Sequence, residues 1–312
     1  MKVVALAGGV GGAKLADGLA QVLPAEDLTV IVNTGDDFVH FGLSISPDLD
    51  TICYTLAGLA NPDTGWGRVG DSGAALKSVE LLGGPTWFWL GDGDLGTHLE
   101  RTRRLQAGDS LSAITADFCR AWGLRARVLP MSDQPVRTMV DTDEGELAFQ
   151  HYFVQRACEP KVKGFRFSGL EQAKPAPGVI EAIDAAQLIV ICPSNPWVSV
   201  APILALGEIR AALAGHSVVA VSPIIGGKAV KGPAAKMFAE LGIEPSALAV
   251  ARYYGSLLSG FVLDQQDAGQ ASQVRELGIM PLASATLMRD RADRARLAEE
   301  VLKFGSSLPQ KT

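Results

Sequence analysis

Val3-Val4-Ala5-Leu6-Ala7-Gly8-Gly9-Val10-Gly11-Gly12-Ala13-Lys14-Leu15 is the stretch that decides the fold. Five apolar residues with no polar face are too few for a buried helix and predict a strand covered on both sides. Residues 11–23 then place Leu15, Leu19 and Val22 on one helical face. Strand, glycine turn and helix open a βα unit, and the glycines let backbone N–H groups approach a phosphate at the helix N-terminus. No Ser or Thr follows Lys14, so this is not a Walker A loop, and Lys14 stands where a full GxGxxG needs its last glycine. A plain tight turn is the competing reading.

The same alternation continues outward. Leu28–Val32 is apolar and β-branched and runs into Asn33-Thr34-Gly35-Asp36-Asp37. Residues 188–192 and 217–221 are two further apolar runs flanking a helical stretch over 202–214. Such strands imply an α/β, Rossmann-like fold, a mainly parallel sheet with helices on both faces. Residues 1–312 read as one catalytic domain. One segment breaks the rhythm: 137–140 and 146–153 flank Asp143-Glu144-Gly145 and predict an antiparallel hairpin. The region 135–175 is therefore read as an insertion or small subdomain. Residues 286–304 predict a charged amphipathic helix.

The 312 residues carry 28 basic and 34 acidic side chains, a net charge of −6, with 47% apolar residues. That balance excludes intrinsic disorder and argues against nucleic acid as the partner. A polyanionic substrate would need local donors or a metal. Cys53, Cys119, Cys158 and Cys192 form no CxxC and read as buried thiols of a reducing cytosol. No window reaches the ~20 apolar residues of a membrane span. The apolar start resembles a secretory signal, but its glycines and Lys14 break that pattern. The expectation is a cytoplasmic protein without a membrane partner.

Parallel sheets bind ligands at the carboxyl ends of their strands, so the residues after each apolar run carry the chemistry. Asp36 and Asp37 suit a ribose or a metal; as a bare pair they would only cap a helix. Asp48 and Asp50 precede a helical stretch, so one is the expected N-cap, Asp48 by its nearness to Pro47. With Thr51 they also make a group suited to Mg2+. Leu90-Gly91-Asp92-Gly93-Asp94-Leu95-Gly96-Thr97-His98 lacks the twelfth-position Glu of a calcium loop. Asn195, Ser199, Gly226, Gly227, Lys228 and Lys231 follow the later strands and offer polar, backbone and cationic contacts. Without Ser-His-Asp order, HExxH or CxxC, the phosphate cradles and carboxylates suit phosphoryl-group transfer.

Seven segments in order, GGVGGAKL at 8–15, NTGDD at 33–37, ISPDLDT at 45–51, GDGDLGTH at 91–98, LPMSDQPV at 129–136, SNPWVS at 194–199 and SPIIGGKAVKGPAAK at 222–236, resemble the 2-phospho-L-lactate transferase family of coenzyme F-420 biosynthesis. The resemblance implies a Rossmann-like, Mg2+-dependent homodimer whose substrates are small molecules. The ribityl hydroxyl of 7,8-didemethyl-8-hydroxy-5-deazariboflavin (Fo) attacks the acyl-bearing phosphate of a guanosine diphosphate derivative, releasing GMP. The transferred group is phospholactyl, phosphoenolpyruvyl or phosphoglyceryl. It further implies that Asp50 and Asp36 are catalytic and hold the metal. Asp50, Thr51, Trp89, Asp92, Asp94, Thr97 and His98 fall on the Fo side. Gly9, Gly11, Gly12, Lys14, Ser132, Asp133, Ser194, Asn195, Ser199, Ser222, Gly226 and Gly227 fall on the guanosine diphosphate side. Family members often read GDRDLATH where this chain has Gly93 and Gly96, which removes an arginine from the expected acyl site. The competing classes are an NAD(P)-dependent oxidoreductase, for which Lys14 is a misfit, and a nucleotide-sensing regulator, in which the carboxylates would have no work.

Overall fold

The computed structural model describes residues 1–309. Its centre is a seven-stranded sheet built from β1 (Val3–Ala7), β2 (Leu28–Val32), β3 (Arg127–Pro130), β4 (Leu188–Ile191), β5 (Val218–Val221), β6 (Gly260–Asp264) and β7 (Met280–Ser284). The spatial order is β7-β6-β5-β4-β1-β2-β3 and every pairing is parallel. Strand order reverses at β1, which lies between β2 and β4, so the crevice for a ligand opens beside β1.

Period-2 side-chain alternation feeds two cores. Val4 and Leu6 of β1 join Ile183, Ile203, Ile209 and Leu213 on one face. Val3, Ala5 and Ala7 join Leu15, Leu19, Ile52, Leu297 and Val301 on the other. Cys53 and Cys119 pack in the second core as free thiols, their Sγ atoms 3.7 Å apart. Among the described residues no single helix is long and apolar enough to cross a membrane.

Several predicted bounds shift. The stretch 202–214 is two helices, Ala201–Ala205 and Gly207–Leu213, broken where Leu206 turns extended and buries its side chain; the whole segment Pro196–Ala205 meets the second helix at 91°. A wide helical turn, Pro196–Val200, precedes them. The hairpin pairs Arg137–Thr142 with Gly145–Ala148, but the second strand stops early, and Val162–Ser168 adds an unforeseen third strand on the other edge. This small sheet buries Val140, Phe149, Tyr152 and Val162 against Val198 and Met237, which anchors it to the main body. The final helix begins only at Arg291, where Asp290 accepts from Asp293 N at 2.8 Å. The preceding Thr286 is instead tied to Asp264 Oδ2 by its N (2.9 Å) and Oγ1 (3.0 Å).

A long excursion, residues 33–126, separates β2 from β3. It carries a short hairpin (Phe38–His40 with Leu43–Ile45) and the helices Pro47–Leu56, Ala74–Leu81, Asp92–Gln106 and Leu111–Ala121.

Candidate active site

The glycine turn after β1 lies against three other segments. Gly9 takes φ +61°, and its N donates to Asp48 Oδ1 at 2.7 Å. A Cβ on Gly11 would stand 2.3 Å from the carbonyl oxygen of Pro193, so only glycine allows this approach. Ser194 Oγ donates to Gly8 O (2.9 Å) and receives Gly8 N (3.2 Å), stitching the turn to the segment after β4. Asn33, at the end of β2, donates to Asp48 Oδ2 (2.9 Å) and Val198 O (3.1 Å). These contacts converge on a cavity of about 700 Å³, within the ~300–1,000 Å³ of small-molecule sites.

One wall is aromatic. Trp66, Trp87, Phe88 and Trp89 come from the excursion, and Phe149 and Phe153 from the small sheet's segment. Phe149 and Phe153 stack at 5.4 Å with planes 6° apart. The rest of the lining is glycine turn and carboxylate: Asp36, Asp48, Asp50 and Asp94 stand there with Lys14 and His98.

Charge is unevenly balanced across these acids. Asp50 is held by Arg101, whose Nη2 makes a close contact with Oδ1 while Nη1 donates to Oδ2 at 3.1 Å. Both side chains are buried. Arg101 Nη1 also lies 3.3 Å from His98 Nδ1, which makes that nitrogen an acceptor and puts the imidazole proton on Nε2. Burial pushes His98 down to about 4, so it is neutral at working pH. Asp36 has no such partner: its Oδ1 is buried and unbonded, and burial together with Asp48 raises its pKa well above the carboxylate range. Burial pushes Asp48 up to about 6. Asp94 also rises to about 6, through burial and then Asp50, and its Oδ1 is buried without a partner. Burial and the neighbouring Arg294 and Lys231 lower Lys14, whose Nζ donates to Met288 O at 2.9 Å.

Of the residues the sequence pointed to, Gly9, Gly11, Lys14, Asp36, Asp50, Thr51, Trp89, Asp94, His98, Ser194, Asn195, Ser199 and Ser222 line this cavity. The others stand outside its lining and have structural contacts. Gly12 packs against Ser194, where a Cβ would meet Oγ at 2.6 Å. Asp92 caps the helix Ala74–Leu81 by accepting from Ala74 N (3.1 Å) and Ala75 N (3.0 Å). Thr97 accepts from the Tyr54 hydroxyl at 2.8 Å. Asp133 accepts from Ser112 N (2.7 Å) and Oγ (2.9 Å) in the first turn of Leu111–Ala121, and Ser132 Oγ bonds Gln134 N at 3.1 Å. Gly226 and Gly227 form the left-handed turn of a two-residue hairpin, with Gly226 N bound to Asp267 at 2.9 Å.

Two further readings are corrected. Asp48 is not the N-cap of Pro47–Leu56: Ser46 holds that position, and Asp48 reaches sideways to the glycine turn. Gly93 lies outside the cavity; its N donates to Asp71 Oδ1 at 2.7 Å, and Arg68 from a separate loop occupies the adjoining space, its Cδ 3.4 Å from where a Cβ would be. Arg101, Trp66, Trp87, Phe149 and Phe153 were not singled out as site residues. Arg101 carried a signal, a basic residue three positions after His98 on one helix face, but its partner lies 51 residues away.

Asn195 has a structural job as well as a cavity position. Its Oδ1 accepts from Trp197 N at 3.0 Å and caps Pro196–Val200. Asn195→Ala should cost about 1 kcal/mol, as lost caps do. Denaturant unfolding checks this; an unchanged stability would count against the cap.

A parallel sheet with a cavity of this size at its switch point, walled by a glycine turn and unbalanced carboxylates, defines a Rossmann-like fold with a small-molecule site at the carboxyl edge of its strands. A crystal structure of protein BH3568 from Bacillus halodurans shares the fold, with a TM-score of 0.62 at 16% identity over 96% of this chain and 99% of that one. Residues 3–297 match the family described as 2-phospho-L-lactate transferase CofD, and the chain belongs to that family. It is 45% identical to a phosphoenolpyruvate transferase of Streptomyces griseus across 99% of both chains. Identity is 43% to one of Thermobifida fusca, over 90% of this chain and 92% of that one. A 2-phospho-L-lactate transferase of Methanosarcina mazei is 38% identical over 96% of this chain and 99% of its own. The family is one of phospho-acyl transferases in coenzyme F-420 biosynthesis.

Proposed function

We propose that the chain transfers a phosphoenolpyruvyl group from its guanosine diphosphate derivative to the ribityl hydroxyl of Fo, with release of GMP. The observation that carries this is a cavity whose lining combines aromatic rings, suited to a flat deazaflavin, with a glycine turn and carboxylates, suited to a diphosphate and its cation. The phosphoenolpyruvyl group is chosen over the phospholactyl because relatives named for it share 43–46% of their residues with this chain, against 37–38% for those named for lactate. A cytoplasmic homodimer is the matching cellular form. Calorimetric titration tests the class: Fo should bind, and NAD(H) should not. The opposite result would favour the oxidoreductase.

The residues divide the work as follows. The helix N-terminus at Gly11, with Lys14, binds the diphosphate, while the N–H of Gly9 stays committed to Asp48. Stacked aromatic rings hold the deazaflavin with its ribityl chain turned toward the acids. Asp94, buried and lacking a partner on Oδ1, accepts the hydroxyl proton; a pKa near the operating range suits a general base. Arg101 fixes Asp50 and, through Nδ1, the tautomer of His98, whose Nε2–H is left to donate.

A divalent cation fits this wall. Asp36 Oδ1 is an orphaned buried oxygen, and burial and then the neighbouring Asp48 raise the pKa of Asp36 for want of a countercharge. Asp50 is already neutralised by Arg101, so we assign Mg2+ to Asp36 with Asp48 rather than to Asp36 with Asp50. Among the described residues no three His, Cys, Asp or Glu side chains form a ready-made metal cage. Mg2+ is often held by one or two carboxylates plus substrate phosphates, and the proposal is of that kind. When bound, the ion would screen the diphosphate charge from the incoming oxygen.

The cation assignment has a consequence for stability. Asp48 titrates near 6 when folded, against about 3.9 unfolded. The native state thus binds more protons between these values, and stability falls as pH rises through that window. At pH 7.5 without divalent ions, Asp36→Asn should melt a few degrees above the wild type. Mg2+ should raise the melting temperature of the wild type and not of the variant. Thermal scans with and without Mg2+ check this; a wild type indifferent to Mg2+ would contradict it.

A further inference from the structure

Two loops from either side of β1 meet at the cavity. Trp66 and Gly67, from the excursion between β2 and β3, line it together with Val230, Lys231, Gly232 and Pro233, which follow β5. Lys231 joins them: its Nζ donates to the carbonyl oxygen of Thr64. Gly65, at φ +77°, sits at the tip of the first loop. A Cβ there would lie 2.6 Å from Val10 Cγ1 and 3.4 Å from Lys231 Nζ, so the tip is wedged between the glycine turn and the ammonium.

Lys14 and Lys231 are the two lysines among the cavity's lining residues, and each is bonded to a neutral backbone carbonyl. Their charges repel: after burial and Arg294, Lys231 contributes to lowering the pKa of Lys14. An ammonium has three donors, and Lys231 spends one on Thr64. A bond to a phosphate oxygen is roughly twice as strong as one to a neutral acceptor. An oxyanion between the lysines would therefore engage the remaining donors and relieve the repulsion, while the bond to Thr64 persists.

We propose that Lys231 is an anion-operated latch: a phosphate oxyanion bound in the cavity engages its free donors and, through Thr64, fastens the loop at residues 64–67 over the ligand. This rests on reading the cavity as a site for a phosphorylated substrate. Lys231 is thus a positioning residue that couples donor binding to closure.

The test compares wild type, Lys231→Met and Lys231→Arg, with GDP and Mg2+ as the probe. In the wild type GDP should slow amide exchange across residues 61–68; in Lys231→Met it should not. GDP should bind about 10-fold more weakly to Lys231→Met, as for loss of a charge-assisted bond, and KM for the guanylylated donor should rise by a similar factor with a smaller change in kcat. Lys231→Arg should recover most of each effect. Unchanged GDP affinity, or equal slowing of exchange in Lys231→Met, would overturn the latch, as would a wild type that binds no GDP. Should GDP close the loop in the wild type while no donor is turned over with Fo, the latch stands and the functional reading falls. Turnover with an unaltered KM in Lys231→Met gives the reverse.

Discussion

Asp50→Asn is expected to lose about 3–5 kcal/mol of stability, as when one partner of a buried ion pair is removed, and to slow turnover by ~10², the cost of misplacing a catalytic group by ~1 Å. The position read from sequence as an open metal ligand would have left stability nearly unchanged. In the structure the side chain is buried, and Arg101 takes both of its oxygens. Neutralising Asp50 leaves the guanidinium buried without its countercharge and frees Nη1 from the geometry that holds His98. Arg101→Met should destabilise comparably by stranding the carboxylate. The double substitution should be more stable than the sum of the two losses, because neither charge is then stranded. Denaturant unfolding of the three variants measures this; losses below 1 kcal/mol that simply add would sink the pair as an organising element.

Asp94→Asn is expected to reduce kcat by ~10²–10⁴, the range of general acid–base contributions, with little change in the binding of either substrate. Its carboxyl titrates near 6, so activity of the wild type should fall as pH drops below that value, where the base is protonated. That acid limb should vanish in the variant. The sign follows from burial and the Asp50 charge, which both favour the protonated form. A pH–rate profile of kcat decides it: an acid limb retained by Asp94→Asn would move the base elsewhere.

The parts of the fold legible from sequence were those with a repeating physical signature. β1 is apolar at every position and β2 at all but Thr29, because both faces of the sheet are covered, and their bounds are legible to the residue. The bend at Leu206 was not legible: a helical apolar period persists through it, and only the demand for core space turns the backbone. The cavity shows the same division. Loops that follow strands were identifiable because topology puts them on one edge. Acids within those loops were not sortable by type, since Asp92 and Asp133 cap helices with the same side chain that Asp36 turns into the cavity. Arg101 and Phe149 come from distant segments, and no local pattern announces a partner that only tertiary packing supplies. Gly93 shows the converse: a departure in a motif pointed to an emptied acyl site, while the backbone places that position behind Asp71 and Arg68.

The central claim, that one cavity carries Fo and a guanosine diphosphate-linked phospho-acid to reaction, has a direct test. Purified protein is incubated with Fo, Mg2+ and, separately, the phosphoenolpyruvyl, phospholactyl and phosphoglyceryl guanosine diphosphate derivatives, and products are read by mass spectrometry. The expected products are GMP and Fo carrying the added phospho-acid, formed fastest from the phosphoenolpyruvyl donor. Fo of unchanged mass with all three donors, in a sample shown by calorimetry to bind Fo, would contradict it.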